Sequence, residues 1–210
     1  NPSYVESIQS FAFDGCKKLS NITIPFSVYS IGQSAFRNCT SLKKIIIPYS
    51  VTSIEAGIFS NCKSLSQITI PASVISIPSN AFSDCQMLSQ IIFVSPSSIK
   101  SIGKYAFYGC SSLDRITIPS LVTSIGDFAF FGCNSLTQIS LPASLTEIGI
   151  NAFNGIKSLT IAGKTRVIPK DLCKNNKSLA HVVISSSIVS IGDEAFNGCT
   201  SLMKITFESP

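Results

Sequence analysis

The chain has 210 residues, of which 45% are apolar and 13% are charged, and its formal net charge is +5. This composition excludes an intrinsically disordered chain, which combines low hydrophobicity with high net charge. The sequence contains no run of 18 apolar residues, so we predict no membrane-spanning helix.

One motif recurs along the whole chain with a period of 23 residues. A fixed period of about 20–29 residues is typical of a solenoid, in which each copy is one coil stacked on the last. We therefore predict a single repeat domain over residues 1–210, with about nine repeats and irregular coils at 94–98 and 150–180. Because the chain begins inside a repeat and ends just after a strand, we expect it to be a fragment of a longer protein. The phenylalanines that mark the period are Phe13, Phe36, Phe59, Phe82, Phe107, Phe130, Phe153 and Phe196.

Each repeat contains an apolar triplet that predicts a β-strand. Side chains alternate along a strand, so the first and third residues of a triplet point inward and the middle one outward. A proline follows several triplets and ends the ladder, because it has no N–H to donate. We expect nine parallel strands in one sheet, with triplets at 22–24, 45–47, 68–70, 91–93, 116–118, 139–141, 159–161, 182–184 and 205–207.

The rest of each repeat predicts two further segments. The pattern V-x-S-I, as at 51–54, indicates a second short extended segment. The pattern A-F-x-x-C-x-x-L indicates a short helical or 3₁₀ turn on the opposite side, with Phe, Cys and Leu pointing inward. Between the two, an isolated glycine is expected to allow a turn that a side chain would disfavour. These glycines are Gly32, Gly103, Gly126, Gly149 and Gly192.

Seven of the eight cysteines occupy one position of the repeat. Stacked coils could be joined by disulfides, or the thiols could bind a metal. However, a spacing of one coil arranges the ligands in a line and not in a tetrahedron, and free cysteine behaves as a small buried apolar residue. We therefore predict buried free thiols, no metal site and no cofactor. The seven are Cys16, Cys39, Cys62, Cys85, Cys110, Cys133 and Cys199.

No arrangement of residues in the sequence indicates catalysis. The single histidine, His181, has no Ser or Asp partner in a recognisable triad, and paired carboxylates and phosphate-binding glycine loops are also missing from the sequence. We predict that the chain is not an enzyme and that His181 is a surface residue. The alternative that this chain belongs to an enzyme whose catalytic domain lies elsewhere stays open.

The complete repeat resembles the BspA-like leucine-rich repeats, also called the Treponema pallidum type. The string that carries the resemblance is L-x-x-I-x-I-P-x-S-V-x-S-I-G-x-x-A-F-x-x-C, and it covers residues 5–210. The resemblance implies a right-handed curved solenoid with a parallel β-sheet on its concave face, and short helical or 3₁₀ turns and loops on the convex side. It also implies a surface protein of a bacterium or a protist that functions in adhesion. The family motif transfers no functional residues.

The outward side chains of the concave sheet are the favoured binding surface. They are mostly amides and hydroxyls, with a few cations and some apolar groups where water is expected, as in contact patches of proteins. The alternative is that β-branched residues merely stabilise the sheet. The candidate partner-binding residues are Lys44, Ile46, Tyr49, Gln67, Gln90, Ile92, Arg115, Gln138, His181 and Lys204.

A basic segment is the competing candidate. Residues 157–177 hold six cations against one carboxylate, a surplus that could attract a sulfated glycan or an acidic protein. The alternative is a solvated face that improves solubility. The six are Lys157, Lys164, Arg166, Lys170, Lys174 and Lys177.

The sequence thus favours a non-enzymatic adhesion module, on a cell surface or secreted, that binds a host-matrix or cell-surface protein or an anionic glycan. The alternative is an intracellular, cytoplasmic scaffold or a cytoskeleton-associated interaction domain. Nucleic acid is not expected, because no aromatic-interleaved basic groove or reading helix is evident. Self-association through the open coil ends is a further expectation.

Overall fold

The fold was obtained as a computed structural model, and it describes residues 4–161 and 166–209. The chain winds into successive coils, and strands of one coil pair in parallel with strands of the next. The strands are β1 (Ser7–Ile8), β2 (Asn21–Ile22), β3 (Ser30–Ile31), β4 (Lys44–Ile45), β5 (Gln67–Ile70), β6 (Ser76–Ile77), β7 (Gln90–Phe93), β8 (Ser101–Ile102), β9 (Ser124–Ile125), β10 (Gln138–Ser140), β11 (Glu147–Ile148), β12 (Ser158–Ile161), β13 (Val167–Ile168), β14 (His181–Ile184), β15 (Ser190–Ile191) and β16 (Lys204–Phe207).

The predicted triplets form the main sheet, which is divided into two groups. Strands β2, β4, β5 and β7 pair in that order, and β10, β12, β14 and β16 form a second four-stranded group. The triplet at 116–118 is not a strand. Within the described residues it is joined to the fourth coil by one bridge, Gln90↔Arg115, and it has no pairing with β10. The prediction of one continuous nine-stranded sheet is therefore wrong at the fifth coil.

The second predicted extended segment is confirmed as a second row of short strands. Strands β6, β8, β9 and β11 form one sheet, and β1–β3 and β13–β15 form two pairs. An isolated parallel bridge joins Ile31 to Ile54 in the next coil. This second row is continuous past the fifth coil, where the main sheet is interrupted.

The predicted helical or 3₁₀ turns are not found in the described ranges, which contain no helix of either kind. Each coil instead places two residues four positions apart in the left-handed region, such as Ser34 at φ 53° and Asn38 at φ 59°. These two residues break the helical path. Local bonds, such as Arg37 N–H to the Ser34 carbonyl, therefore alternate with bonds to the next coil, such as Phe36 N–H to the Ile58 carbonyl at 3.0 Å.

The core contains a column of stacked phenylalanine rings, as the period predicts. Neighbouring ring centroids are 5.1–5.7 Å apart in successive pairs from Phe13 to Phe153, and the rings are close to parallel. From Phe36 to Phe153 these side chains are fully buried. Cys173 takes the phenylalanine place in the next coil and is also buried.

The repeated cysteines donate hydrogen bonds between coils. The Sγ of Cys62 donates to the carbonyl oxygen of Phe36 at 3.1 Å, and the pattern repeats at Cys39, Cys85, Cys110, Cys133 and Cys199. All eight thiols are free. The prediction of burial is wrong for Cys16, which is exposed, and for Cys199, which is half-buried. Cys16 lies in the first coil of the described residues.

The glycine after the second strand of a coil serves a close approach and not a turn conformation. Gly103 does not adopt the left-handed region, but a Cβ there would lie 2.6 Å from the backbone nitrogen of Ser79 in the preceding coil. A side chain would therefore push the two backbones apart. The turn explanation predicted for these glycines is wrong at this position.

Candidate partner-binding surface

Parallel pairing places the predicted binding residues in columns on the main-sheet face, which we define as the outward side chains of the main sheet and the residues directly after its strands. In the first group of strands, Lys44 lies beside Gln67 and Gln67 beside Gln90. In the second group, Gln138 lies beside Ser158, His181 beside Ser158 on the other side, and Lys204 beside His181. Lys44, Gln67, Gln90, Arg115, Gln138, His181 and Lys204 are all exposed.

Apolar side chains are exposed at one end of this face. Tyr49 is 74% exposed and Ile46 is 62% exposed, although both are large enough to contribute to a core. The ring of Phe26 in the preceding coil lies 5.6 Å from that of Tyr49, centroid to centroid. These rings shield each other only in part, so a patch of apolar surface faces water.

The fifth coil produces a groove that the sequence did not predict. A depression of about 550 Å³ lies between β7 with the segment after it and residues 117–121. Ile92, a predicted surface residue, is half-buried because it lines this depression. The other lining residues are Ile91, Phe93, Ser95, Pro96, Ser97, Thr117, Pro119, Ser120 and Leu121.

A missing contact between coils explains why the depression forms there. In regular coils the residue before an inward valine or leucine is a serine that donates to the preceding coil. The Oγ of Ser50 donates to the Val28 carbonyl at 2.6 Å, and Ser27, Ser73 and Ser144 form the same bond. The fifth coil has Leu121 at this place, and it is 51% exposed. The fourth coil carries the two-residue insertion, and its Ser98 forms no such bond within the described residues.

The groove continues along the fifth coil toward Arg115. Two further depressions of about 400 and 540 Å³ flank this residue, and Thr117 lines all three. The Arg115 side chain is 90% exposed, and its Nε is 3.9 Å from an oxygen of Asp114. Gln90 borders one flank and Gln138 the other. We name the whole depression along 115–121 the fifth-coil groove.

The basic residues are distributed around the solenoid. The carbonyl of Lys157 accepts the N–H of Ala180 in the next coil, so residues 157–177 make almost one full turn. Lys157, Arg166, Lys170 and Lys177 are exposed along this turn, and Lys164 lies outside the described residues.

Lys174 differs from the other described cations of this segment because two carboxylates lie beside it. Its Nζ is 2.5 Å from Glu194 and 3.3 Å from Asp171, and these contacts, with Glu194 contributing most, raise the pKa of the amine. The sequence count of one carboxylate in this segment missed Glu194, which lies in the following coil.

A second aromatic group lies on the turn side. Tyr105 stacks on Phe128 at 5.2 Å and Tyr108 on Phe131 at 5.4 Å, and all four rings are half-buried. Lys104 covers the Tyr105 ring at 5.2 Å. The four rings mainly cover one another, so they are explained by packing between two coils.

The described part of the chain shows no cluster of three or more His, Cys, Asp or Glu side chains that could hold a metal ion. It also contains no helix that is long and apolar enough to cross a bilayer. Burial raises the pKa of the Cys39 thiol to about 11 and that of Cys85 to about 12, so these thiols are poor nucleophiles at neutral pH.

The comparisons with known proteins agree with this architecture. A leucine-rich repeat protein from Bacteroides ovatus is 29% identical with a TM-score of 0.78, and the match covers 94% of this chain and 57% of that one. One from Eubacterium ventriosum is 26% identical with a TM-score of 0.53, covering 95% and 69%. The pneumococcal vaccine antigen PcpA, 23% identical with a TM-score of 0.66 and covering 99% and 55%, shares the fold. No curated protein sequence matches the chain.

The chain thus spans 57% of the length of the Bacteroides ovatus protein. The sequence pattern of the BspA type leucine rich repeat region matches residues 6–100 and 92–203, with six copies. Together with the stacked parallel strands and the phenylalanine column, this match shows that the chain belongs to the BspA-type leucine-rich repeat family.

Proposed function

We propose that this chain is a non-enzymatic binding module that contacts a protein partner through its main-sheet face. The observation that carries the proposal is the exposure of large apolar side chains, Ile46 and Tyr49, among amides on a face held in register by parallel pairing. Leucine-rich repeats generally serve as binding scaffolds. Tyrosine is enriched among the residues that dominate interface energies.

The rigidity of the face supports the same proposal. Strand pairing in one row or the other joins neighbouring coils, and stacked phenylalanines and thiol–carbonyl bonds add to it in most of them. A surface that is ordered before binding loses little conformational entropy when a partner docks. A broad, preorganised face therefore suits protein recognition better than it suits catalysis, which needs convergent reactive groups.

An array of purified proteins and an array of glycans, probed with the labelled chain, test this proposal. The face variant carries Ile46→Ser and Tyr49→Ser. The control variant carries Ile75→Ser and Tyr29→Ser, which have similar exposure beside strands of the second row. We expect proteins that bind the wild type and the control alike but bind the face variant about tenfold more weakly.

Three outcomes would contradict the proposal. Binding to glycans alone would show that the partner class is wrong. Equal losses in the face and control variants would place the contact elsewhere. The absence of any bound protein on the array would also count against it. The distributed cations are the competing site, tested by Arg166→Gln, Lys170→Gln and Lys177→Gln together.

We further propose that the chain acts at the cell surface, which is supported by its membership in the BspA-type family. Brief protease treatment of intact source cells tests the location. Loss of the chain from intact cells is the expected result. Protection until the cells are lysed would favour the cytoplasmic scaffold.

A further inference from the structure

We propose that the fifth-coil groove binds an extended peptide segment of the protein partner, with an apolar side chain in the depression beside Leu121 and one carboxylate on Arg115. This inference rests on the proposed function and names the part of the main-sheet face that selects the partner. The segment lies along the coil, so its apolar and acidic residues are about four positions apart.

The shape of the groove fits a single extended chain. One wall is β7 with residues 95–97, and the floor is formed by residues 115–121 of the fifth coil. From Arg115 to Pro119 the floor advances four residues, or about 13 Å at the rise of an extended chain. A bound peptide in the same extended conformation covers that distance with the same number of residues. The apolar and acidic residues of the peptide are therefore expected about four positions apart.

The apolar end has side chains that lack cover within this chain. Leu121 is exposed at the rim, while Ile92 and Phe93 are half-buried in the wall. In four other coils the Leu121 position is a serine whose hydroxyl donates to the preceding coil. Leu121 cannot form the hydrogen bond of that serine, and it exposes apolar surface instead. An apolar side chain of a partner would bury this surface.

Polar groups along the groove are also free to bind. The side chains of Gln90, Thr117, Ser120 and Gln138 make no hydrogen bond to any described residue of this chain. Amides and hydroxyls both donate and accept, so they can serve the alternating N–H and C=O groups of an extended backbone. A lipid chain would leave these groups unused.

Charge determines the other end of the segment. Arg115 and Asp114 are the only charged residues that line the three depressions of the groove within the described part of the chain. The 3.9 Å separation of the pair leaves most of the guanidinium available. A carboxylate can form a bidentate pair with a guanidinium. Because Asp114 lies beside it, an acidic run would be repelled, so one carboxylate is expected.

Selection from a random dodecapeptide phage library on the immobilised chain tests the inference. The selected peptides are synthesised with a fluorophore, and their dissociation constants are measured by fluorescence anisotropy. We expect an apolar and an acidic residue separated by three to five positions, about four. Leu121→Ser and Arg115→Gln should each weaken binding about tenfold, a typical loss at an important contact.

The variants are chosen to stay folded. Leu121→Ser installs the serine that other coils carry at this place, and Arg115 is exposed. Ile75→Ser and Lys63→Gln are the matched controls, because both residues are exposed away from the groove. Thermal denaturation of each variant confirms the fold, and the controls should change the dissociation constant less than about twofold.

The outcomes separate this inference from the proposed function. Selected peptides that lose affinity with Ile46→Ser or Tyr49→Ser, but not with Leu121→Ser, would overturn the groove and leave the main-sheet face as the binding surface. Selected peptides whose affinity is unchanged by every variant on the main-sheet face would overturn both the groove inference and the proposed function. Failure to select any peptide would overturn the groove inference, and so would binding to phosphatidylglycerol vesicles or to glycans that depends on Leu121.

Discussion

Replacing Asn176 tests whether the cysteine position of the repeat is a hydrogen-bonding position between coils. Asn176 stands where seven other coils have cysteine, and it is 1% exposed. Its Nδ2 donates to the carbonyls of Ile156 at 3.0 Å and Phe153 at 3.3 Å. Its Oδ1 accepts from the N–H groups of Ser178 at 3.0 Å and Leu179 at 3.2 Å.

The expected magnitude follows from these four bonds. A hydrogen bond contributes about 0.5–1.5 kcal/mol net, and a buried group left without a partner costs about 1–3 kcal/mol. We therefore expect Asn176→Ala to lower the free energy of unfolding by about 3 kcal/mol. Asn176→Cys should recover about 1 kcal/mol of this loss, because a thiol can donate to the Phe153 carbonyl as Cys62 does to Phe36.

Urea denaturation followed by circular dichroism measures both variants, with Asn197→Ala as an exposed control. The slope of the free energy with urea must be unchanged for the comparison to hold. If Asn176→Ala changed stability by less than about 0.5 kcal/mol, the four bonds would be irrelevant to stability. If alanine and cysteine were equally destabilising, the interpretation of the cysteine position as a donor would be refuted.

Three further predictions follow from burial. Phe59→Ala should cost about 3–5 kcal/mol because it removes a ring from the column, whereas Gln67→Ala should cost no more than about 0.5 kcal/mol; urea denaturation of both measures this, and equal costs would reverse the inward and outward assignment. Iodoacetamide should label Cys16 rapidly in the native chain, Cys199 slowly and the six buried thiols only after denaturation, as read by peptide mass spectrometry. The pKa of Cys39 is raised from 9.0 to about 11, so the folded state retains its proton while the unfolded state loses it. The free energy of unfolding should therefore fall as the pH rises from 9 toward 11, measured by urea denaturation at each pH, and a flat profile would argue against burial of the thiols.

Much of the fold could be predicted because the period places equivalent residues in register. The triplets and the phenylalanines recur at nearly constant spacing, which identifies strands and core without any further information. The turn side was harder, because A-F-x-x-C-x-x-L has helical spacing. Asn38 and Asn61 tolerate the left-handed region, and asparagine at this position indicates that the helix is interrupted. Tyr105 and Phe128 also adopt the left-handed region although their residue types disfavour it, so the sequence of those coils does not indicate the interruption.

The site could be predicted only in part. Alternation along the strands was enough to place Gln67 and Arg115 outward, because it depends on local geometry alone. The groove depends on two local departures that matter only when coils are stacked: the insertion at 94–98 and Leu121 in place of serine. Both departures were visible in the sequence. The role of the serine was not, because its hydrogen bond joins residues 22 positions apart in neighbouring coils.

A salt titration of partner binding tests the central claim, that the main-sheet face is the binding surface. The partner identified on the protein array is titrated against the wild type, the face variant with Ile46→Ser and Tyr49→Ser, and the variant with Arg166, Lys170 and Lys177 each changed to Gln. The Debye length falls from about 10 Å at 0.1 M salt to about 3 Å at 1 M, so contacts between exposed charges weaken strongly. We predict an affinity that is largely kept at 1 M salt, is reduced about tenfold in the face variant, and is unchanged in the basic variant. An affinity that is lost at 1 M salt and in the basic variant, but kept in the face variant, would contradict the claim.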